Sequence, residues 1–280
     1  MTPPCQLATL NAPRPFSRTT RNTFAVLQLA LAFICWQPLN SEGAETLTFC
    51  YESVDVRPWR TVDGMGLNFD LINGAAAKLG IQIKYEGIPW KRCLSELKAN
   101  RMDGAFGVSF KTDRLDIGVY PGGNQPDETK RLFTDGYMLL RNKGSNVTWD
   151  GKTIGGLEGA VGIQLGYSVG DQLKSMNIPV DDGSINLREL VRKLVAGRIG
   201  AAAIGGSDAN YLSSKEPTLA KQFEILPIPL VEKPYFLMLS HRVVDANPGR
   251  AQRLWKAIEL ERKSASYLKK EEAALKGLTH

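Results

Sequence analysis

The sequence predicts an α/β protein of two lobes, each a mostly parallel sheet flanked by helices, joined by a two-strand hinge. Three observations carry that prediction. From residue 46, short apolar runs alternate with stretches of helical periodicity, the pattern of strand–helix–strand units and therefore of parallel pairing. The same alternation begins again near residue 152. Two apolar, extended segments, residues 132–144 and 226–240, connect the series, so a last helix packed on the first unit makes the chain cross between lobes twice.

In chain order, "TLTFCY" reads as a strand and "FDLINGAAAKLG" as a helix with Gly80 in the stop position. A strand "IQIKY", a helix "PWKRCLSELKAN" and a strand "MDGAFGV" complete the first unit. The second takes "KTIGGL" as its first strand. It continues through a short helix around Asp171 to Met176, the helical "NLRELVRKLVAG", the strand "IGAAAIGG", the helical "SDANYL" and the strand "FEILPI". A long helical pattern from Pro248 to about Lys270 closes the chain. The expected division is a signal peptide at 1–43, a first lobe at 44–138 completed by the return segment 233–280, and a second lobe at 139–232.

The leader is read from Arg14, Arg18 and Arg21 preceding the apolar "FAVLQLALAFICW", with no acidic residue before Glu42. As a helix that stretch spans only ~20 Å, short of a ~30 Å hydrocarbon core, which favours a cleaved signal over an anchor. Small residues at Ser41, Gly43 and Ala44 place cleavage near 43 or 44, and Ile34 before Cys35 is too bulky for lipoprotein processing. The formal net charge of +6 contains the leader's three arginines and one glutamate, so the exported part carries +4. Basic and aromatic residues do not cluster in it, and a nucleic-acid surface is not expected. Cys50 and Cys93 are then the cysteines left; in an oxidising compartment they predict one disulfide, the alternative being a pair of buried thiols.

Catalytic signatures are scarce. With two histidines, His241 and His280, and no HExxH, CxxC or GxSxG, neither a metal site nor a serine nucleophile is expected, and no cofactor is called for. The glycine-rich "GGLEGAVGIQLGYSVG" fits no nucleotide-binding spacing; its glycines let backbone amides approach a small anion, with Ser168 either at that anion or simply capping the following helix. Arg114 follows the apolar "GAFGV" and carries a planar fork that grips a carboxylate through two parallel hydrogen bonds. Ser109, five residues earlier, adds a hydroxyl; the competing reading pairs Arg114 with Asp113 or Asp116 on the surface. Trp59 and Trp90 offer flat apolar walls for a ligand, or core packing.

Residues 46–273 resemble family 3 extracellular solute-binding proteins, the type II periplasmic binding fold of polar amino-acid uptake. The likeness rests on the ordered series "RPW", "GLNFDLINGAAAKLG", "PWKRCLSELKANRMDG", "SFKTDR", "GYMLLRNKG", "IGGLEGAVGIQLGYS" and "LVAGRIGAAAIGGSD". The resemblance implies that Arg114 and Ser109 hold the ligand's carboxylate, that Trp90 stacks on its side chain and that Ser168 adds a hydroxyl from the second lobe. Trp59, Tyr51 and Asp208 complete the candidate ligand contacts. Family members that bind amino acids place an aspartate for the amino group where this chain has Gly205; Asp208, three residues on, is the candidate replacement. Residues 121–131 are inserted relative to the family, and one residue is missing between Asp103 and Ser109.

The expectation is thus a periplasmic binding protein, not an enzyme, that captures a small carboxylate-bearing solute such as an amino acid and serves an ABC permease. The alternatives are an enzyme on this scaffold, similar to cyclohexadienyl or prephenate dehydratase with Glu52, Asp55 or Asp208 as acid, and an exported ligand sensor without a transporter.

Overall fold

The computed structural model describes residues 45–276; the leader expected at 1–43 lies outside the described residues. The chain opens with β1 (Thr46–Glu52), α1 (Leu67–Ala77), β2 (Gln82–Ile88), α2 (Trp90–Lys98) and β3 (Gly104–Ser109), followed by a 3-10 turn at Thr112–Arg114. It goes on through β4 (Phe133–Asn142), β5 (Thr148–Trp149), β6 (Ile154–Gly155), β7 (Val161–Gln164), α3 (Val169–Ser175), β8 (Val180–Ser184), α4 (Leu187–Val195) and β9 (Ala201–Gly205). After α5 (Gly206–Lys215), α6 (Pro217–Ala220) and β10 (Phe223–Ile225) it returns by β11 (Val231–Leu239) to α7 (His241–Ala246), α8 (Pro248–Arg262) and α9 (Ala265–Lys276).

Nine of the described strands form one curled sheet in the order β2-β1-β3-β11-β4-β9-β7-β8, with β10 on β4, and β5 pairs with β6 apart from it. Pairing is parallel within β2-β1-β3 and within β9-β7-β8, and antiparallel wherever β11 or β4 takes part. Residues 231–235 of β11 run beside 133–137 of β4, after which β11 continues along β3 and β4 along β9. The two apolar connectors are therefore the two long strands that carry the chain from one half of the sheet to the other.

Each half has its own core. Phe49 of β1, Leu71 and Ile72 of α1 and Phe106 of β3 pack with Leu254, Trp255 and Ile258 of α8 and Tyr267 of α9, so the C-terminal helices do return to the first half. The Trp255 indole N–H donates to Leu237 O at 2.9 Å, tying α8 to β11. In the second half Leu139, Val161, Ile163 and Leu173 fill one side of the sheet, and Leu140, Leu190, Leu194 and Ile204 the other. Helix starts follow side-chain acceptors: Asn186 takes the Glu189 N–H and Asn247 the Arg250 N–H, both at 2.9 Å.

Three elements depart from the sequence expectation. "KTIGGL" contributes only β6, half of a two-residue hairpin with β5, and the second half's central strand is β7, inside the glycine-rich stretch. β8, with the sequence "VDDGS", has too little apolar content to register as a strand and is recruited by parallel pairing with β7. The final helical pattern breaks where the Ser264 hydroxyl accepts the Tyr267 N–H, starting α9 afresh.

Cys50 of β1 and Cys93 of α2 are disulfide-bonded, their Cα atoms 5.6 Å apart. The link clamps α2 onto the sheet one turn from its first residue, Trp90. With the cysteines 43 positions apart in sequence, replacing Cys50 by serine is expected to cost ~2–4 kcal/mol in urea unfolding. Protein beginning at residue 44 and denatured without reductant should titrate no free thiol.

Candidate functional site

β3 ends at Ser109, and the 3-10 turn after it folds Arg114 back over that end. Arg114 is 4% exposed. Its Nη1 donates to Ser109 O at 2.8 Å and to Ser109 Oγ at 3.3 Å; its Nη2 donates to Gly166 O at 3.2 Å, and Cζ lies 5.6 Å from the Trp90 ring centroid. Gly166 has φ +79°, a left-handed conformation that turns its carbonyl toward the arginine. Asp113 and Asp116, the surface partners that sequence alone would allow, pair instead with Lys111 and Lys98. Arg114 is thus a buried cation with no carboxylate in salt-bridge range among the described residues.

Two hydroxyls meet beside it. Ser109 Oγ donates to Ser168 Oγ at 2.8 Å across the two lobes, and Lys233 Nζ donates to Ser168 O and Oγ at 3.1 and 3.2 Å. Ser168 precedes α3 but makes no capping bond, so its hydroxyl is free for this role. Burial, then the Arg114 charge, lowers the Lys233 pKa. Cation, hydroxyls and ammonium together form an anion-seeking corner.

The opposite end of the same cavity is acidic. Glu52, last residue of β1, accepts from Arg60 Nη2 at 2.6 Å and Tyr167 OH at 2.8 Å; burial raises its carboxyl while Arg60 pulls the other way. Asp135 of β4 accepts the Gly136 N–H at 2.9 Å and, more loosely, the Ser207 N–H, and burial pushes it up to about 6. Asp208, in the first turn of α5, is 3% exposed and accepts no hydrogen bond from the described residues. Burial, and next the neighbouring Asp135 carboxylate, push it up to about 8. Between the ends lies a partly open cavity, with Phe133, Tyr137 and Tyr235 as its aromatic wall.

The structure brings Arg114, Ser109, Trp90, Ser168 and Asp208 to this one cavity. It does not bring Tyr51 or Trp59 there. Tyr51 stacks on Phe106 at 5.3 Å inside the first core, because a strand residue facing α1 is worth more as core than as wall. Trp59 stands one layer behind, stacked on Phe133 at 4.3 Å while Phe133 stacks on Tyr235 at 4.7 Å, and its N–H reaches Ser207 Oγ at 2.9 Å. Sequence reading passed over Asp135, Tyr137, Tyr235 and Lys233. Their signal is period two: Phe133, Asp135 and Tyr137 alternate along β4, as do Lys233 and Tyr235 along β11, and each set faces one way.

No protein-family model matches the chain, and no curated protein matches it in sequence. Solved structures match it along most of its length. The GluR0 ligand-binding core from Nostoc punctiforme, in complex with L-glutamate, superposes with a TM-score of 0.63 at 16% identity, covering 81% of this chain and 98% of that one. The substrate-binding protein of an amino acid ABC transporter gives 0.61 at 17%, covering 83% and 100%. An ancestral amino-acid-binding protein, a precursor of cyclohexadienyl dehydratase, gives 0.61 at 16%, covering 82% and 94%. The fold is the two-lobed, type II periplasmic-binding-protein arrangement.

The elevated Asp208 value has a directional consequence for stability. Its folded value of about 8 lies above the ~3.9 of an unfolded chain, so the native state binds the proton more strongly. The stabilisation is complete below about pH 4 and lost as pH rises toward 8. Between pH 5 and 8 the ligand-free protein is expected to lose roughly 2–4 kcal/mol more stability than its Asp208→Asn variant. Urea unfolding at several pH values measures it, and parallel profiles would contradict the assignment.

Proposed function

We propose that this chain is an exported solute-binding protein of the family 3 type that closes its lobes on a small carboxylate-bearing solute, an amino acid or a related compound. The observation that carries the reading is Arg114: buried, cationic, without an acidic partner, and set beside hydroxyls from both lobes. A charge-assisted fork satisfied only by a carboxylate, with Ser109 and Ser168 adding donors from opposite sides, favours the shut state whenever ligand is present. The lobes of this reading are 44–138 with 233–280, and 139–232. An ABC permease is the partner it implies. The Cys50–Cys93 disulfide supports a periplasmic location, reached through the leader at 1–43.

One observation favours a second reading, an enzyme similar to cyclohexadienyl dehydratase. Asp208, protonated near neutrality by its burial, has the chemistry of a general acid facing a carboxylate-gripping arginine. A carrier returns its ligand unaltered, whereas a dehydratase consumes prephenate with loss of water and carbon dioxide.

The test of the first reading is Arg114→Lys, which keeps the charge and loses the fork. Calorimetry of the mature protein with a ligand found by a thermal-shift screen of amino acids and small organic acids should show binding roughly 10- to 100-fold weaker. Undiminished affinity in that variant would remove Arg114 from the site.

A further inference from the structure

Behind the aromatic wall of the cleft, where Trp59 stacks on Phe133, strand β4 borders a second pocket. Arg131, at the end of the segment read as an insertion, Arg262, the last residue of α8, and Glu271 of α9 line it from the first half of the molecule. Ser207 and Asn210 of α5 line it from the second. The two arginines stand out by elimination. Among the described residues, the arginines with no carboxylate in salt-bridge range are Arg114, Arg131, Arg192, Arg198, Arg253 and Arg262. Arg192, Arg198 and Arg253 are exposed, and Arg114 belongs to the cleft. Arg131 and Arg262 are half-buried, and they meet in this one pocket.

Each guanidinium is oriented by a carbonyl of the inserted segment and otherwise left open. Arg131 Nη1 donates to Glu128 O and Arg262 Nη2 to Thr129 O, both at 2.9 Å. Arg262 Nε is out of contact with solvent and has no acceptor among the described residues. A guanidinium has five N–H donors, so most of the capacity of the pair is unused. The two lie close enough that the Arg131 charge, after burial, lowers the Arg262 pKa. Neighbouring acids do not answer them. Glu271 feels both arginine charges but forms no ion pair among the described residues, and burial raises its carboxyl. Asp135 accepts the Gly136 N–H and, more loosely, the Ser207 N–H at the start of α5, where the positive end of the helix offsets its charge. Two cations against Glu271 leave the pocket with an excess of positive charge.

We propose that this pocket is a second binding site, separate from the cleft, for a small oxyanion of carboxylate or phosphate kind held between Arg131 and Arg262, with the Asn210 amide adding a donor from α5. A planar fork takes two oxygens of such an anion, and two forks approaching from different elements enclose it. The site is a product of the inserted segment, which supplies both Arg131 and the carbonyls that aim the two guanidiniums. Its cations and its amide are all different from those at the anion corner of the cleft.

The experiment titrates sodium phosphate, acetate, citrate and benzoate into the mature protein calorimetrically, at neutral pH and at an ionic strength held constant with chloride. At least one of these anions is expected to bind with a dissociation constant of about 1 mM or tighter, and the comparison of phosphate with the carboxylates tells which kind the site takes. Arg131→Gln and Arg262→Gln should each weaken that binding roughly tenfold or more. Asn210→Asp, which brings a negative charge to an exposed position of α5, should weaken it as well, and Arg114→Lys should leave it unchanged. Because Arg262 ties the inserted segment to α8, Asn210→Asp carries the test if Arg262→Gln does not fold. Absence of binding by every salt, or binding undiminished in both Arg131→Gln and Asn210→Asp, overturns the site. Binding that is lost in Arg114→Lys and kept in Arg131→Gln puts the anion in the cleft, which overturns this proposal and leaves the carboxylate reading of Arg114 standing.

Discussion

Taking a guanidinium out of water costs several kcal/mol unless something negative or strongly polar meets it. Arg114 meets two carbonyl oxygens, a hydroxyl and an indole face. That is enough to hold the side chain in place and not enough to neutralise it. The surroundings are arranged around this deficit. The disulfide holds α2, α2 presents Trp90, Trp90 supplies the ring face under Arg114, and the 3-10 turn fixes the arginine's approach. Tyr120, which donates to Ser109 O at 2.7 Å, pins the carbonyl that Arg114 also uses. Each of these contacts helps fix where Arg114 points.

The crossing strands connect this local arrangement to the global fold. β4 and β11 pair antiparallel where the chain passes between lobes, and that register sets Phe133 against Tyr235, while Tyr235 stands opposite Ser109 on β3. The aromatic wall, the serine at the anion corner and the acid Asp135 are thus spaced by backbone hydrogen bonds rather than by loops. Cavity dimensions follow from sheet geometry, which side chains in loops could not fix as tightly. If the lobes close on a solute as proposed, these same two strands would be the pivot, and motion and recognition would share their residues.

Much of this was legible before any coordinates, for physical reasons that differ by residue. Arg114 and Ser109 stand out because a fork-shaped cation follows a buried apolar run, while the sequence leaves a surface pairing with Asp113 or Asp116 equally open and only the fold, which pairs those acids with Lys111 and Lys98, decides between them. Trp90 stands out because it opens a helix. Asp135 and Tyr137 are hidden in a segment whose apolar character advertises a connector, and only its two-residue alternation sorts wall from core. β7 escapes because the glycine in "VGIQ" lowers its strand signal while close packing demands it: a Cβ on Gly162 would meet Ile199 at 2.4 Å. Tyr51 reads as a candidate contact and becomes core, since the neighbouring rings of Phe69 and Phe106 enclose it. Asp208 is legible as an acid out of place; that it lacks a partner is visible only in three dimensions.

The contacts that bridge the lobes are distributed over both ends of the cavity. Ser109 with Ser168 and Arg114 with Gly166 O close the anion corner, while Tyr167 with Glu52 and Trp59 with Ser207 close the acidic end. Most of these are short, single hydrogen bonds whose net worth is on the order of 1 kcal/mol each, so the shut arrangement is reachable without being locked. A solute anchored at one end only would reinforce half of this set and leave the other half free to open. A solute carrying charges of both signs braces the lobes at two separated points, and its differential affinity for the shut state then approaches the sum of the two. In the proposed binding function, opposite charge at the two ends of one cavity, from elements that the crossing strands bring together, would couple ligand length and charge to lobe closure.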